Sequence, residues 1–228
     1  MTLKIYGIPE STCTSRVLTV LAEKGVTDYE FPPMGKGDMK APEHLARQPF
    51  GKIPAIDDDG FVLCESRAIC KYLAKKYANQ GTKLIPDDGD VKGYGIFEQA
   101  CSYEMSYFNP PAESICFEKL FKQFHGKGPA DEQLVTQYKS KLEDTLKVYD
   151  GILAKQAYLA GDEVSLADLF HLPYGHLAKE VGFQDLYDPY PNVKRWFESL
   201  EARESWKTVP SIIALFARMG QAQEQAAK

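Results

Sequence analysis

The stretch that decides the fold is KIPAIDDDGFVLCES, residues 52–66. Two short apolar runs, PAID and FVLC, lie on either side of the turn sequence DDG, and this arrangement predicts a β-hairpin. The residues that follow, SRAICKYLAKKYAN, carry Ile69, Leu73 and Tyr77 at helical spacing. A hairpin that leads directly into an amphipathic helix indicates a small sheet with helices packed against it.

Upstream of the hairpin, short strands alternate with helices. LKIYG predicts a strand that ends at Gly7, and SRVLTVLAEKG predicts a helix that stops at Gly25. DYEFPP predicts a short strand, and APEHLARQ predicts a short helix. The expected order of this region is therefore β-α-β-α-β-β-α.

Downstream of the hairpin, strand signals stop at the Gly-, Pro- and Asp-rich run NQGTKLIPDDGD. Helical patterns follow, and we expect the first of them to end at the Pro110–Pro111 pair. SLADL predicts a helix start in which Ser165 and Asp168 form a capping box. The expected domains are an α/β domain at 1–80, a linker at 81–91, an all-helical domain at 92–217 and a polar tail at 218–228.

Composition excludes several classes of function. The chain has 228 residues, 44% hydrophobic and 26% charged, with a net charge of -5, which argues against nucleic acid or an anionic membrane as a partner. We find neither a secretory signal nor a stretch of about 20 apolar residues. The five cysteines lack C-x-x-C spacing, which favours reduced thiols in a cytoplasmic protein without a metal site.

Several local motifs resemble the glutathione transferase family. These are STCTSRV, QPFGKIPA, ESRAICKYLAKKYANQGTKL, YFNPPAESICFEKLFK and YLAGDEVSLADLFHLPY, whose order and spacing match over nearly the whole chain to about residue 217. ESRAI, YANQGTKL and NPPA resemble the phi class best, a group of plants and fungi. The resemblance implies a thioredoxin-like domain that binds glutathione, followed by a helical domain.

The resemblance implies how the α/β domain holds glutathione. The Ile53–Pro54 bond would be cis, so that Ile53 offers its backbone groups to the tripeptide as to a short strand. A trans proline in a strand-initiating turn is the alternative. Ser66, at the start of a helix, would bind the γ-glutamyl carboxylate, with Glu65 near the amine of that residue. Ser66 could instead be no more than a helix cap.

Two lysines are candidates for the glycine carboxylate of glutathione, namely Lys40 and Lys52. The family often has a His-Lys pair where this chain has Met39-Lys40, so one polar contact is lost or passes to Lys52. Each lysine, taken alone, is also compatible with a solvated surface charge.

The resemblance to the phi class implies that Ser11 is the catalytic residue. A free thiol has a pKa of about 8.5, and lowering it by about two units takes roughly 2.7 kcal/mol of preferential binding to the thiolate. A helix N-terminus and the Ser11 hydroxyl would supply that stabilisation, with help from Thr12. The alternatives are that Ser11 only caps the helix, or that Cys13 acts as in cysteine-type thiol transferases. Thr14 is expected on a helix face, and Arg16 is assigned no role.

The second substrate is expected between the two domains, where apolar pockets commonly form. Ordinary core packing is the alternative for each candidate. The candidate residues are Thr12, Met34, Tyr107, Phe108, Phe117 and Phe121.

The resemblance also implies assembly and activity. Phe50, in QPFG, would insert into a pocket on a partner subunit and form a homodimer. We expect a glutathione transferase that attacks hydrophobic electrophiles with the glutathione thiolate, with reduction of organic hydroperoxides as a second activity. The alternatives are a non-catalytic carrier of apolar ligands (a ligandin) and a thiol transferase that uses Cys13.

Overall fold

The computed structural model describes residues 2–35 and 37–217. The predicted tail, 218–228, lies outside the described residues. The described part of the chain divides into two compact units, one formed by residues 2–82 without 36 together with 204–217, and the other by Lys83–Arg203. No helix in the described ranges combines the length and the apolar character that crossing a membrane requires.

The first unit is built on a four-stranded sheet. Its strands are β1 (Leu3–Tyr6), β2 (Tyr29–Glu30), β3 (Ala55–Asp58) and β4 (Phe61–Cys64), in the order β2-β1-β3-β4. β1 pairs with β2 in parallel and with β3 antiparallel, and β3 pairs antiparallel with β4. The predicted hairpin is confirmed.

The hairpin turn owes its geometry to two residues of the DDG sequence. Asp59 and Gly60 adopt positive φ angles of 56° and 87°. This is the backbone conformation that a tight turn between right-twisted strands requires and that Asp-Gly pairs favour. The Gly60 amide donates to Asp57 Oδ1 at 2.7 Å, which ties the end of the turn to β3.

Helices α1 (Thr12–Glu23) and α3 (Ser66–Lys76) pack together, and α3 also contacts β3 and β4. Helix α2 (Pro42–Arg47) follows a short 3₁₀ turn. β1 alternates buried Leu3 and Ile5 with exposed Lys4, as a strand with one covered face does. Val17 and Leu73, from the two helices, are fully buried in the same core. The predicted β-α-β-α-β-β-α order is confirmed, which is a thioredoxin-like arrangement.

The second unit is helical throughout. One long helical run contains α4 (Val91–Tyr103), a π-helical turn (Glu104–Phe108), α5 (Asn109–Cys116), a second π-helical turn (Phe117–Phe121) and α6 (Lys122–Phe124). The remaining helices are α7 (Glu132–Leu153), α8 (Leu166–Leu169), α9 (Leu172–Glu180) and α10 (Pro191–Glu201). The predicted all-helical character of the region after the first domain is thereby confirmed.

The expectation that a helix ends at Pro110–Pro111 is wrong. The chain stays helical because the π-helical turn lets the Asn109 amide bond to the Glu104 carbonyl, one residue further back than in an α-helix. The Tyr107 carbonyl, which loses its usual partner to Pro111, lies instead 3.2 Å from the Thr145 hydroxyl of α7, whose proton it shares with the Lys141 carbonyl at 3.1 Å. A neighbouring helix thus supplies the hydrogen bond that the proline removes.

Two other predicted helices are each divided. SLADLFHLPYGHLAKEVG forms α8 and α9, because Pro173 lacks an amide and is tolerated only in the first turn of a new helix. PNVKRWFESLEARESW forms α10 and then α11 (Glu204–Lys207), which belongs to the first unit. Residues 212–217 form one more helical segment.

The return of the chain to the first unit is fixed by two buried charged residues at the end of α1, Glu23 and Lys24. Lys24 donates to the carbonyls of Gln80 and Thr82 at 3.2 and 2.8 Å. Glu23 accepts from the hydroxyls of Thr82 and Ser205, so α11 is held against α1. Burial lowers the pKa of Lys24, against the opposing effect of Glu23.

The core of the second unit contains the predicted capping box, which is confirmed. Asp168 is fully buried and its Oδ2 accepts from the amide and the hydroxyl of Ser165, both at 2.9 Å. Its Oδ1 accepts from the Leu159 amide at 2.9 Å and from Trp196 Nε1 at 3.0 Å. One carboxylate therefore satisfies four donors from three parts of the chain.

Candidate active site

Ser11 lies in the loop between β1 and α1 and is half-exposed. Its backbone is extended, and its Oγ accepts from the Thr14 amide at 3.2 Å, as an N-cap does. No acidic residue occupies the first turn of α1. The Ser11 hydroxyl therefore lies at the positive end of α1, whose first turn contains no carboxylate.

Thr14 is a site residue that sequence reasoning missed. It is fully buried, and its Oγ1 lies 2.9 Å from Ser11 Oγ, close enough for either hydroxyl to donate. When Thr14 donates, the proton of Ser11 is left to point away from the helix. Gly7 makes this approach possible, because a Cβ there would lie 2.8 Å from Thr14 Oγ1. A hydroxyl at the third helical position after a capping serine was the signal available in the sequence.

The Ile53–Pro54 bond is cis, as expected. A Cβ on Gly7 would lie 3.3 Å from Pro54 Cβ, so the proline packs directly against the segment that leads to Ser11. Pro54 is buried and Ile53 is partly exposed. The two loops predicted to meet glutathione therefore lie side by side at the same end of the two central strands, β1 and β3.

The two lysine candidates lie on or against the segment that precedes the cis proline. Lys40 Nζ donates to the Phe50 carbonyl at 3.1 Å, and Lys52 is exposed two residues further along. Met39, which stands where the family often has histidine, is 37% exposed. Its thioether cannot donate a hydrogen bond, so this position offers no polar anchor of the kind a histidine gives.

Gln48 connects several parts of the site and was also missed from the sequence. It is 1% exposed, and its Oε1 accepts from the Phe50 amide at 2.7 Å and from the Lys52 amide at 3.3 Å. Its Nε2 donates to Glu65 Oε1 at 3.4 Å. His44 adds a further tie, since its Nε2 lies 2.7 Å from the Lys52 carbonyl.

Arg16 approaches the start of α3 and completes the site electrostatically. Its guanidinium is 1% exposed, and Nη1 donates to Ser66 Oγ at 2.9 Å. Ser66 is itself buried, and the preceding Glu65 is exposed with a positive φ of 71°. A buried cation beside a helix N-terminus strengthens the positive potential there. The sequence signal was an arginine early in a helix whose first turn holds no acid.

Cys13 faces a different neighbour from Ser11. Its Sγ lies 3.8 Å from Arg16 Nη1, on the side towards α3. Cys70 lies beneath this contact and donates to the Arg16 carbonyl at 3.6 Å. Burial raises the pKa of the Cys70 thiol to about 12, even though Arg16 and Arg67 lower it. Cys70 therefore stays a protonated thiol at neutral pH.

The expected electrophile-binding residues have different surroundings. In the first unit, Thr12 is 9% exposed and Met34 is half-buried. In the second unit, Phe117 and Phe121 are partly exposed on the second π-helical turn. Lys127 Nζ lies 5.5 Å from the centre of the Phe117 ring.

The structure corrects the interpretation of Phe108. It is fully buried, 4.5 Å from the ring of His171 and 6.4 Å from that of Tyr149 between centroids. An aromatic side chain without exposed surface is part of the core, so Phe108 does not line a binding surface in this structure. The π-helical turn directs Phe108 inward and the adjacent Tyr107, 61% exposed, outward.

A cavity of about 590 Å³ lies between the first π-helical turn and α7, within the second unit. Its walls are mainly aliphatic and aromatic. They are formed by Tyr103, Ser106, Tyr107, Pro110, Pro111, Lys141, Asp144, Thr145, Val148 and Tyr149.

The described residues contain no group of three or more His, Cys, Asp or Glu side chains placed to hold a metal ion. All five cysteines are free thiols. His171 contacts Tyr149, at 3.1 Å, and His176 contacts Glu201, at 2.6 Å. Both histidines therefore serve as polar positions in helical packing.

Comparisons with known proteins agree with this arrangement. The model of the glutathione S-transferase N-terminal domain matches residues 1–75, and that of the C-terminal domain matches residues 105–204. Glutathione S-transferase hmp2 of Hypomyces subiculosus is 49% identical over 207 residues, 90% of this chain and 96% of the relative.

Solved structures give the same result in three dimensions. Glutathione transferase F7 from Populus trichocarpa matches with a TM-score of 0.85 at 38% identity, over 90% of this chain and 96% of that chain. Glutathione S-transferase I from mais, solved with an atrazine glutathione conjugate, matches with a TM-score of 0.83 at 34% identity, over 91% and 95% of the two chains. This chain belongs to the glutathione S-transferase family, within its phi class.

Proposed function

We propose that this glutathione S-transferase uses the Ser11 hydroxyl to hold the sulfur of bound glutathione as a thiolate. The observation that carries the proposal is the pair of hydroxyls at the start of α1. Thr14 is placed to donate to Ser11 Oγ at 2.9 Å, which leaves the Ser11 proton for an acceptor outside the helix. A thiolate sulfur at that position would be such an acceptor.

The chemistry follows from differential stabilisation of the ionised thiol. The proton of glutathione passes to solvent, and the thiolate receives the Ser11 hydrogen bond at the positive end of α1. Its sulfur then attacks an electrophilic carbon, so that a C–S bond forms and a leaving group departs with its electron pair. A pKa lowered by about two units corresponds to roughly 2.7 kcal/mol.

The rest of the first unit would orient the tripeptide. Ile53 offers backbone groups beside the cis proline, and Glu65 offers a carboxylate to the γ-glutamyl amine. Ser66, reinforced by Arg16, would bind the γ-glutamyl carboxylate. Lys40 and Lys52 would bind the carboxylate at the other end.

Steady-state turnover with glutathione and a generic aromatic halide tests the catalytic proposal. Replacing Ser11 by Ala should lower kcat/KM on the order of 100-fold, the equivalent of the lost thiolate stabilisation. Replacing Cys13 by Ser should change it little. The reverse pattern would establish the cysteine-type thiol transferase, and glutathione-dependent ligand binding with no turnover would establish the carrier.

We also propose that the protein forms a homodimer. In this dimer, Phe50 of one copy enters the cavity between the first π-helical turn and α7 of the other copy. Phe50 is 71% exposed, although its backbone is fixed by Gln48 and Lys40. The cavity of about 590 Å³ is large enough for a phenyl ring and is mainly apolar. A rigidly held, exposed aromatic side chain is typical of an interface anchor.

Sedimentation equilibrium tests the dimer. Replacing Phe50 by Ala should raise the dimer dissociation constant at least 30-fold, because a buried aromatic anchor contributes 2 kcal/mol or more, roughly. Replacing Val148 by Trp, on the cavity wall, should have the same effect. A monomeric wild type, or a dimer indifferent to both changes, would contradict the proposal and leave the cavity to a small apolar ligand.

The electrophile-binding role of Thr12, Met34, Tyr107, Phe117 and Phe121 stays a proposal. Partly exposed aromatic side chains suit flat, apolar electrophiles. Hydroperoxide reduction would use the same thiolate, and cytoplasmic location is proposed from the free thiols.

A further inference from the structure

Gln48 occupies an unusual place for a polar side chain. It is 1% exposed, yet it carries no charge and lies outside the contacts that the catalytic proposal uses. Buried amides are retained in proteins when their hydrogen bonds are made, because an unpaired one is costly. The partners of Gln48 therefore indicate what it does.

One half of the amide holds the segment that follows α2. Oε1 accepts from the amide of Phe50 at 2.7 Å and from that of Lys52 at 3.3 Å. The carbonyl of Lys52 is held as well, by His44 Nε2 at 2.7 Å, which therefore carries the ring proton. Lys52 is thus fixed through both of its backbone groups, immediately before Ile53.

The other half of the amide holds Glu65. Gln48 Nε2 donates to Glu65 Oε1 at 3.4 Å, and the two residues are seventeen positions apart in the sequence. Glu65 has a positive φ of 71°, which is uncommon for a residue with a side chain. Such a conformation persists when its surroundings fix it, and the Gln48 bond is one such restraint.

We infer that Gln48 is a positioning residue. It holds residues 50–52, which lead to Ile53, and it links them to Glu65. This inference rests on the proposed function, which places the glutathione backbone at Ile53 and its amine at Glu65. Because one side chain holds both segments, glutathione affinity and dimer affinity share a common support. Dimer affinity should depend on the Oε1 half of the Gln48 amide, whereas glutathione affinity should also depend on the Nε2 half.

Two variants of Gln48 and one control separate the two halves of the Gln48 amide. Replacing Gln48 by Ala removes both the acceptor and the donor. Replacing Gln48 by Glu keeps the acceptor for the Phe50 and Lys52 amides, and places a carboxylate against Glu65 where a donor stood. Replacing Gln80 by Ala is the matched control, because Gln80 donates to the Lys24 carbonyl at 2.8 Å and not to this segment.

Glutathione binding is measured by titration calorimetry, dimer dissociation by sedimentation equilibrium, and folding by thermal unfolding. Gln48→Ala should weaken glutathione binding about tenfold, raise KM for glutathione in parallel and weaken the dimer, with kcat at saturating glutathione nearly unchanged. Gln48→Glu should weaken glutathione binding while the dimer stays as tight as the wild type. Gln80→Ala should change neither affinity.

Unchanged glutathione affinity in a folded Gln48→Ala or Gln48→Glu protein would overturn the inference. So would a dimer weakened equally by both variants, because the acceptor half would then have no separate role. If Gln48→Ala fails to fold, Gln48→Glu alone decides. Absence of glutathione binding by the wild type would instead defeat the proposed function, so the two failures are distinguishable.

Discussion

The serines that cap α8 and α1 differ in what stands three residues later. Ser165 begins α8, and the third position holds Asp168, which takes both the amide and the hydroxyl proton of the serine. Ser11 begins α1, and the third position holds Thr14, a hydroxyl that can itself donate. The first serine is 8% exposed and the second is half-exposed.

This difference teaches how a helix cap becomes a candidate catalytic group. At Ser165 the hydroxyl proton is consumed within the fold, so the residue can only stabilise structure. At Ser11 the capping bond to the Thr14 amide uses a lone pair of the oxygen, so when Thr14 is the donor of the hydroxyl pair the proton of Ser11 is available to a ligand. A carboxylate at position 14 would also oppose a neighbouring thiolate, whereas a neutral threonine does not.

The largest effect should come from removing the carboxylate of the structural cap. Asp168→Ala leaves four buried donors without their acceptor, so we expect a loss of about 3–5 kcal/mol in the free energy of unfolding. Denaturant unfolding measures this loss of free energy. Asp168→Asn should lose less stability than Asp168→Ala, because the oxygen of the asparagine amide still accepts hydrogen bonds. Turnover per folded molecule should be unchanged, and a loss of kcat in fully folded protein would break the comparison.

The two serines should lose similar stability on replacement by alanine but differ in the effect on turnover. Ser165→Ala should cost about 0.5–2 kcal/mol of stability with turnover retained, as loss of a cap does. Ser11→Ala should cost a comparable amount of stability but also reduce kcat/KM on the order of 100-fold. Parallel unfolding and kinetic measurements on both variants decide this, and equal kinetic losses would abolish the distinction.

Thr14→Val should produce a smaller, purely kinetic effect. Valine keeps the shape and the backbone amide but removes the hydroxyl, so the proton of Ser11 is less firmly directed outward. We expect kcat/KM to fall about tenfold, roughly the value of one hydrogen bond to a charged group. Thr19→Val, also buried on α1 but bonded to a backbone carbonyl, is the control. Similar kinetics for the two variants would count against a role for Thr14.

The smallest effect concerns a carboxylate of the first unit that only stabilises the fold. Asp58 accepts from Tyr72 and Lys76 of α3. Burial opposes the charge, but these bonds outweigh it and hold the pKa of Asp58 below its ordinary value of 3.8. Its stabilisation is therefore present at neutral pH and is lost as the pH falls below about 4.

Asp58→Asn should lower the free energy of unfolding by about 1 kcal/mol at pH 7 and by less at pH 3. Urea unfolding at the two pH values measures the difference. The pH dependence of turnover, which follows the glutathione thiol, should not move. An equal stability loss at both pH values would mean that the charge of Asp58 is not what ties α3 to the hairpin.

The sequence predicts those parts of the fold that depend on residues close together in the chain. The DDG turn between apolar runs gave the hairpin, and the Ser165–Asp168 spacing gave the capping box. The helix end at Pro110–Pro111 was wrong, because the Thr145 hydroxyl that supports the Tyr107 carbonyl lies 38 positions away. Local sequence patterns do not reveal contacts between residues so far apart in the chain.

The site was predicted unevenly for the same reason. Ile53, Pro54, Glu65 and Ser66 were named because the family resemblance supplies their roles at motif positions. Gln48, Thr14 and Arg16 lie inside the quoted motifs but were given no role in the site, because their importance lies in hydrogen bonds to other site residues that only the folded structure shows. Arg16 contacts Ser66 across fifty positions.

The most direct test of the central claim is an ultraviolet titration of the glutathione thiolate bound to the wild type and to Ser11→Ala. We predict a bound-thiol pKa about two units below the solution value in the wild type, and a value returned most of the way in the variant. A bound thiol that ionises at the same pH in both proteins would contradict the account.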